Sequence, residues 1–276
     1  LIERDNKLPP LQIESELARI LVDDQIEILN FKGTTNFDGE LFGPTDAELY
    51  LKNSEKIEFQ VRTEDKTRLL FINSEDAGAV LRAIDITDDL IGGTLELKGV
   101  FRDNEPSQPI VGHLTINDFH LVNAPILAKL LTIATLTGAL ELLGGQGLPF
   151  EHLQAPFTYR KNKIELIKAR ATGLSLGLTL NGEIDRLDSS ADLRGTIIPA
   201  YVLNSFVGRV PLIGDILTGG EGQGVFAANY HAHGALDDMT ISVNPLSALA
   251  PGILRDLFQI FEDTPKKADE TPQEYD

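Results

Sequence analysis

With 276 residues, 42 acidic against 24 basic side chains and a formal net charge of −18, this chain is strongly acidic. Nucleic-acid binding requires clustered Lys and Arg, and none appears; the same charge argues against a polybasic hold on anionic lipid headgroups. Cys is absent, which removes disulfide and thiolate chemistry, while 42% hydrophobic residues are enough to build a core.

The chain opens at Leu1 without a signal-like segment and reads as an excerpt of a longer protein. Its first half is a run of alternating segments. Leu11 to Leu21 comes first, then Glu27 to Phe37 with Leu29, Phe31 and Phe37 expected on one face. Ala47 to Leu51 is shorter. Lys56 to Thr63 is the cleanest, with Ile57, Phe59 and Val61 pointing one way and Glu58, Gln60 and Arg62 the other. Such alternation predicts an antiparallel sheet with one wet face. After Thr67 to Asn73 the period becomes helical from Ser74 to Ile84, with Ser74 or Asp76 as N-cap and Ala77, Val80, Leu81 and Ile84 as the apolar stripe. Gly92-Gly93 leads into a strand from Thr94 to Phe101, and another follows from Gly112 to Val122.

Ala124 to Leu143 is different: it is apolar on every side of a helical wheel, with Lys129 and Glu141 as its only charges. A helix without a polar face must be buried. Pro125 suits its first turn and Gly144-Gly145 its end, and with the inboard Lys129 these favour a helix packed on a sheet over a membrane span.

Strands resume at His152 to Arg160, Lys163 to Ala171, Leu174 to Ile184 and Ser190 to Ile198. Pro199 to Gly220 holds two short helical pieces, Gly224 to Gly234 and Met239 to Asn244 return to strand, and Pro245 to Phe261 forms a last apolar helix. The charged, Pro-bearing segment 262–276 is expected to be a disordered acidic tail. Residues 1–261 read as a single β-rich domain with a candidate sub-boundary near 123–150. About a dozen strands without a βαβ rhythm imply antiparallel meanders: a mainly β fold, a curled antiparallel sheet forming a groove, with the apolar helix packed on it. At ~4.8 Å per strand and ~3.3 Å per residue one apolar face covers on the order of 1,500 Å², about half of which four helices could shield. Either the sheet folds over itself, or part of the face is kept for a ligand.

No catalytic constellation emerges. His231 and His233 share a strand face with Asn229, but a metal needs three converging ligands, and the polar-face reading is the simpler one. Asp237-Asp238 reads as a turn, and residues 219–224 lack the Lys and the following helix of a phosphate loop. Ser175, Ser205 and Ser247 have no nucleophile-elbow context, so neither an enzyme nor a cofactor is indicated.

Four stretches resemble a known family. NSEDAGAVLRAIDITDDLIGG (Asn73 to Gly93), VNAPILAKLLTIATLTGALELLGGQGLPF (Val122 to Phe150), the stretch from Gly195 to Tyr230 and VNPLSALAPGILRDLF (Val243 to Phe258) are similar, in order, to the AsmA-like C-terminal region of bacterial envelope proteins, the YhdP/AsmA/TamB group. The resemblance implies the C-terminal end of a long apolar β-groove in the periplasm of Gram-negative bacteria. It implies an inner-membrane anchor outside this chain, membrane contact at the C-terminal end, envelope protein partners, and phospholipid carriage toward the outer membrane. It carries over no catalytic residues. Phospholipid acyl chains would lie on the apolar face, each buried CH₂ contributing ~0.8 kcal/mol. The alternative is a structural or assembly factor of the envelope.

The expected lining is Phe157, Tyr159, Leu174, Leu176, Leu178, Leu180, Phe226 and Tyr230, because each set recurs with period two. Period alone leaves open whether these residues fill a closed core or line a solvent-open wall. On an open wall, Asp at Leu176 or Leu178 should leave the fold intact.

Overall fold

A computed structural model describes residues 9–21, 27–39, 42–52, 56–84, 86–124, 127–128, 131–132, 141, 143–199, 228–236 and 238–244. The helical pieces expected between Pro199 and Gly220, the helix from Pro245 to Phe261, the tail, Phe226 and most of the Ala124 to Leu143 helix lie outside them.

The first seven strands are β1 (Leu11–Leu21), β2 (Glu27–Phe37), β3 (Phe42–Leu51), β4 (Lys56–Glu64), β5 (Thr67–Ser74), β6 (Leu90–Phe101) and β7 (Ile110–Leu121). The rest are β8 (Leu148–Arg160), β9 (Lys163–Thr172), β10 (Leu176–Asp185), β11 (Ser190–Pro199), β12 (Ala228–Ala235) and β13 (Asp238–Asn244). One helix, α1 (Ala77–Ala83), interrupts them between β5 and β6. All thirteen strands form a single antiparallel meander in sequence order that is curled and does not close on itself.

The register sorts side chains into rows that cross the whole sheet. One row runs Glu16, Lys32, Glu48, Glu58, Asn73, Glu96 and Thr115, then Gln154, Arg170, Thr179, Thr196, Asn229 and Asn244; every member is polar. A row on the other face runs Ile13, Thr35, Thr45, Val61, Leu70, Gly99 and Gly112, then Phe157, Leu166, Gly182, Leu193, Ala232 and Ile241. Its only polar members, Thr35 and Thr45, bond to each other through their hydroxyls at 2.7 Å. Because successive side chains alternate between faces, one register holds both rows apart over thirteen strands.

Curvature shows in what meets across the sheet. Arg186, in the β10–β11 turn, donates from Nη2 to the Ile84 carbonyl just after α1 at 2.9 Å. In a flat sheet the β5–β6 and β10–β11 connections would lie about five strands, ~24 Å, apart. The helix α1 itself touches β3, β6 and β7. It packs with Ile57, Leu90 and Leu95 through Ala77, Val80 and Leu81, so the apolar face is the concave one. Extra residues help to bend the strands: the register slips between Leu29 and Lys32 on β2 and between Gln154 and Phe157 opposite β9. Asn30 and Lys168 take left-handed φ of 50° and 56° at these places. The Asn181 side chain accepts the Lys168 N–H at 2.7 Å, so that bulge leaves its donor satisfied. The slip on β2 corrects one expectation: Leu29 pairs with Tyr50, on the outer face, and does not share a side with Phe31 and Phe37.

Asp76, not Ser74, caps α1, its Oδ1 accepting from Ala79 N at 3.0 Å. Of the long apolar helix, Leu127, Leu131 and Leu143 are helical and buried in one core with Ile116, Phe119 and Phe150. The Phe119 and Phe150 rings stack at 5.3 Å. No helix among the described residues is long and apolar enough to cross a membrane.

On β11, Gly195 sits between Thr179 of β10 and Tyr230 of β12. The Tyr230 side chain lies over it and donates to the Thr179 carbonyl at 2.9 Å, and any Cβ at Gly195 would collide with that same carbonyl oxygen. Gly195→Ala should therefore separate β10 from β11 and lower stability by about 3 kcal/mol or more, whereas Tyr230→Phe removes one hydrogen bond for about 1 kcal/mol. Urea unfolding of the two variants against wild type measures the contrast; equal effects would contradict this account of the close approach.

Candidate functional site

The concave face is the candidate site, and it is not uniformly open. Part of it is a closed core: Leu95, Ile116, Leu148, Leu176 and Ile197 are buried in one cluster with α1, Leu127, Leu131 and Leu143. Elsewhere the same face keeps contact with solvent, with Leu97, Leu114, Phe157, Leu166, Leu178 and Leu193 half-buried. On β1 it is exposed, Leu11, Ile13 and Leu17 keeping 42%, 40% and 46% of their surface in water. A cleft of about 650 Å³ opens at this end of the sheet, between Leu11, Phe37, Phe42 and Pro44 and a rim that includes Lys66 and Arg68. Arg68 is committed there. It forms a two-pronged pair with Asp103 at 2.8 and 2.5 Å, donates to the Phe42 carbonyl at 3.0 Å and lies 4.2 Å over the Phe101 ring. This bonding holds the Asp103 carboxyl below the usual carboxylate range.

Six of the expected lining residues fall on the concave face by register. Phe157 and Tyr159 pair with Leu166 and Ile164; Leu176, Leu178 and Leu180 pair with Pro199, Ile197 and Gly195; Tyr230 pairs with Gly195. Their surroundings differ. Phe157, Tyr159, Leu178 and Leu180 are half-buried, but Leu176 and Tyr230 are core residues, and burial pushes the Tyr230 phenol far up. Leu174 is a correction. It sits in the β9–β10 turn, outside the strand and 69% exposed, because the chain must reverse at Gly173 before β10 starts. The expectation missed the first-half wall of Leu11, Ile13, Leu17, Phe31 and Phe37, although the same period-two signal marks it.

On the outer face, His231 Nε2 lies 3.0 Å from Asp192 Oδ1 and the His231 and His233 rings stack at 4.8 Å. Among the described residues no group of three His, Cys, Asp or Glu is placed to hold a metal ion. Among the described residues, His152 is the outer-face group with an unmet need. Its Nδ1 donates to Asn117 Oδ1 at 2.6 Å while its buried Nε2 has no partner. Burial, and then the charge of Arg170, hold its pKa below the ordinary 6.5.

No protein-family model matches the chain, and neither a curated protein nor a solved structure matches it.

Two predictions follow from the burial pattern. Leu176→Asp puts an unpaired carboxylate into a dry core and should unfold the chain, whereas at half-buried Leu178 the carboxylate can remain hydrated and the fold should survive. Circular dichroism melts of both variants read this directly, and equal tolerance would mean the face is open under Leu176 as well. The second concerns acid. Because folding favours neutral His152, the unfolded chain binds the extra proton, so stability should fall as the pH drops through 6.5 toward the lower folded value. His152→Gln should flatten the loss of Tm between pH ~7.5 and ~5.5.

Proposed function

We propose that this chain is a lipid-binding groove segment, part of a periplasmic protein anchored in the inner membrane that conveys phospholipids toward the outer membrane. The observation that carries the reading is the apolar row crossing all thirteen strands on a concave face whose side chains stay partly in water. Half-exposed apolar side chains over such a length cost free energy that an acyl chain would recover, at ~25 cal/mol for each Å² covered. Contacts of this kind have no direction, so a chain held by them can slide, while headgroups remain in water at the rims. The resemblance of Asn73 to Gly93 and Val122 to Phe150 to AsmA-like envelope proteins supports the same reading and supplies the compartment.

A second reading, a non-enzymatic assembly factor working through protein partners, is favoured by the edges: among the described residues the sheet ends at β1 and β13, each paired on one side only.

Mass spectrometry of lipid extracted from the purified chain separates the two. The groove reading expects phospholipid that falls several-fold in Leu166→Asp and Leu193→Asp, two half-buried concave positions, and is unchanged in Thr115→Lys on the polar row. Absence of lipid from the wild-type chain, or equal loss in all three variants, defeats it. Fractionation of the full-length protein into the cytosol would overturn the compartment.

A further inference from the structure

In a meander the connections after odd- and even-numbered strands lie at opposite ends of the sheet. The helix α1 leaves the end of β5, yet the residue after it bonds to the β10–β11 turn at the other end. The curl brings that turn across the hollow onto the C-terminal end of α1, so the helix lies in the concave face between β6 and the β10–β11 turn. Its inward side chains, Val80, Leu81 and Ile86, join the core of Ile57, Leu90 and Leu95, on the surface an acyl chain would cover.

Both anchorages are built. At the first, Gly78 lets the helix backbone settle on β6: a Cβ there would collide with the Leu90 carbonyl oxygen. At the second, Arg186 projects from a stiffened rim. Its N–H bonds to the Asn162 carbonyl at 2.9 Å, and the Leu236 N–H bonds to the Ser189 carbonyl at 2.8 Å, so three successive hairpin turns are tied together. Asp185 Oδ1 accepts from the N–H groups of Leu187 and Asp188 at 3.0 and 3.3 Å and fixes the turn that presents Arg186. Across the gap, the Ile84 carbonyl belongs to the C-terminal end of α1, where the helix dipole favours a cation. Ile84 itself is 44% exposed, so water can compete for this bond, unlike the core contacts behind it.

We propose that α1, with Ile84 and Ile86 after it, is a strap that occupies the apolar trough in place of lipid, and that Arg186 is its latch. This deepens the groove reading and rests on it. In the latched state the strap closes the trough between the exposed wall at β1 and the strands beyond β6. An acyl chain advancing along the face displaces Val80, Leu81 and Ile86, and the latch sets how readily that happens.

The test uses the full chain and cis-parinaric acid, a fluorescent fatty acid, in a stopped-flow uptake assay. Arg186→Ala removes one exposed charge-assisted hydrogen bond and should raise uptake about fivefold. Gly78→Ala, which lifts the other end of the strap, should act in the same direction. The protein has no Cys, so Ile84→Cys with Arg186→Cys can be joined by a bis-maleimide, and the joined form should take up probe more slowly than the same variant before linking. Circular dichroism confirms that each variant is folded. Uptake that is indifferent to all three changes in a wild-type chain that binds the probe overturns the strap alone. A wild-type chain that binds no probe overturns the groove reading and the strap with it.

Discussion

The structure depends on one constraint: a strand register that carries a polar and an apolar row on opposite faces across thirteen strands. In a pleated sheet a slip of one residue exchanges the faces of everything downstream. The slip on β2 moves Leu29 to the outer face, whereas the one at β9 is compensated. At β9 the extra residue is absorbed between Gln154 and Phe157 on one side and between Leu180 and Gly182 on the other, and both rows continue past it. Asn181 satisfies the freed Lys168 donor, so the bend costs little hydrogen bonding.

A single amphipathic sheet of this width has a problem that a sandwich does not: its apolar face has no second sheet to cover it. Three devices deal with it here. The sheet curls, so apolar side chains approach one another across the hollow. Chain from the end of β5, together with Leu127, Leu131 and Leu143, fills part of the hollow. Aromatic side chains also reach over glycines, as Tyr230 does over Gly195 and Phe157 over Gly112, in space that a Cβ would fill. What these devices leave uncovered, from the half-buried middle strands to the exposed β1, is the surface on which the proposed function rests.

The outer face is held differently. Its buried hydroxyls are bonded within the polar row: Thr196 N–H donates to Thr179 Oγ1 at 3.0 Å, and Thr196 Oγ1 to Asn229 Oδ1 at 2.7 Å. Ion pairs such as Lys32 with Glu16 at 2.9 Å are solvent-exposed and contribute little to stability. Their effect is to make the outside incompatible with burial, so the sheet has one choice of which way to curl. Cation–π contacts serve where apolar residues intrude on this face, as Arg62 does 5.3 Å above Phe71.

Hydrophobic periodicity is a local property: alternation was enough to determine β1 and β2 to the residue and the antiparallel class, and the switch to a helical period placed a helix within Ser74 to Ile84, while its cap was left between Ser74 and Asp76. It also determined that Phe157, Leu178 and Leu180 share a face. It could not determine strand ends that exist only because a neighbour is there. Leu90 to Gly93 carries a Gly-Gly that weakens a strand by itself, yet it pairs because β7 offers partners from Leu121 back to Asn117. Nor could it tell core from wall: Leu176 and Leu178 are alike in sequence context, and one is buried while the other meets water, because only curvature decides what lies above them. The contact between Arg186 and Ile84 spans 102 positions and leaves no local signal. It exists because the bulges and the curl bring two distant connections together, and that is a decision of the tertiary structure alone.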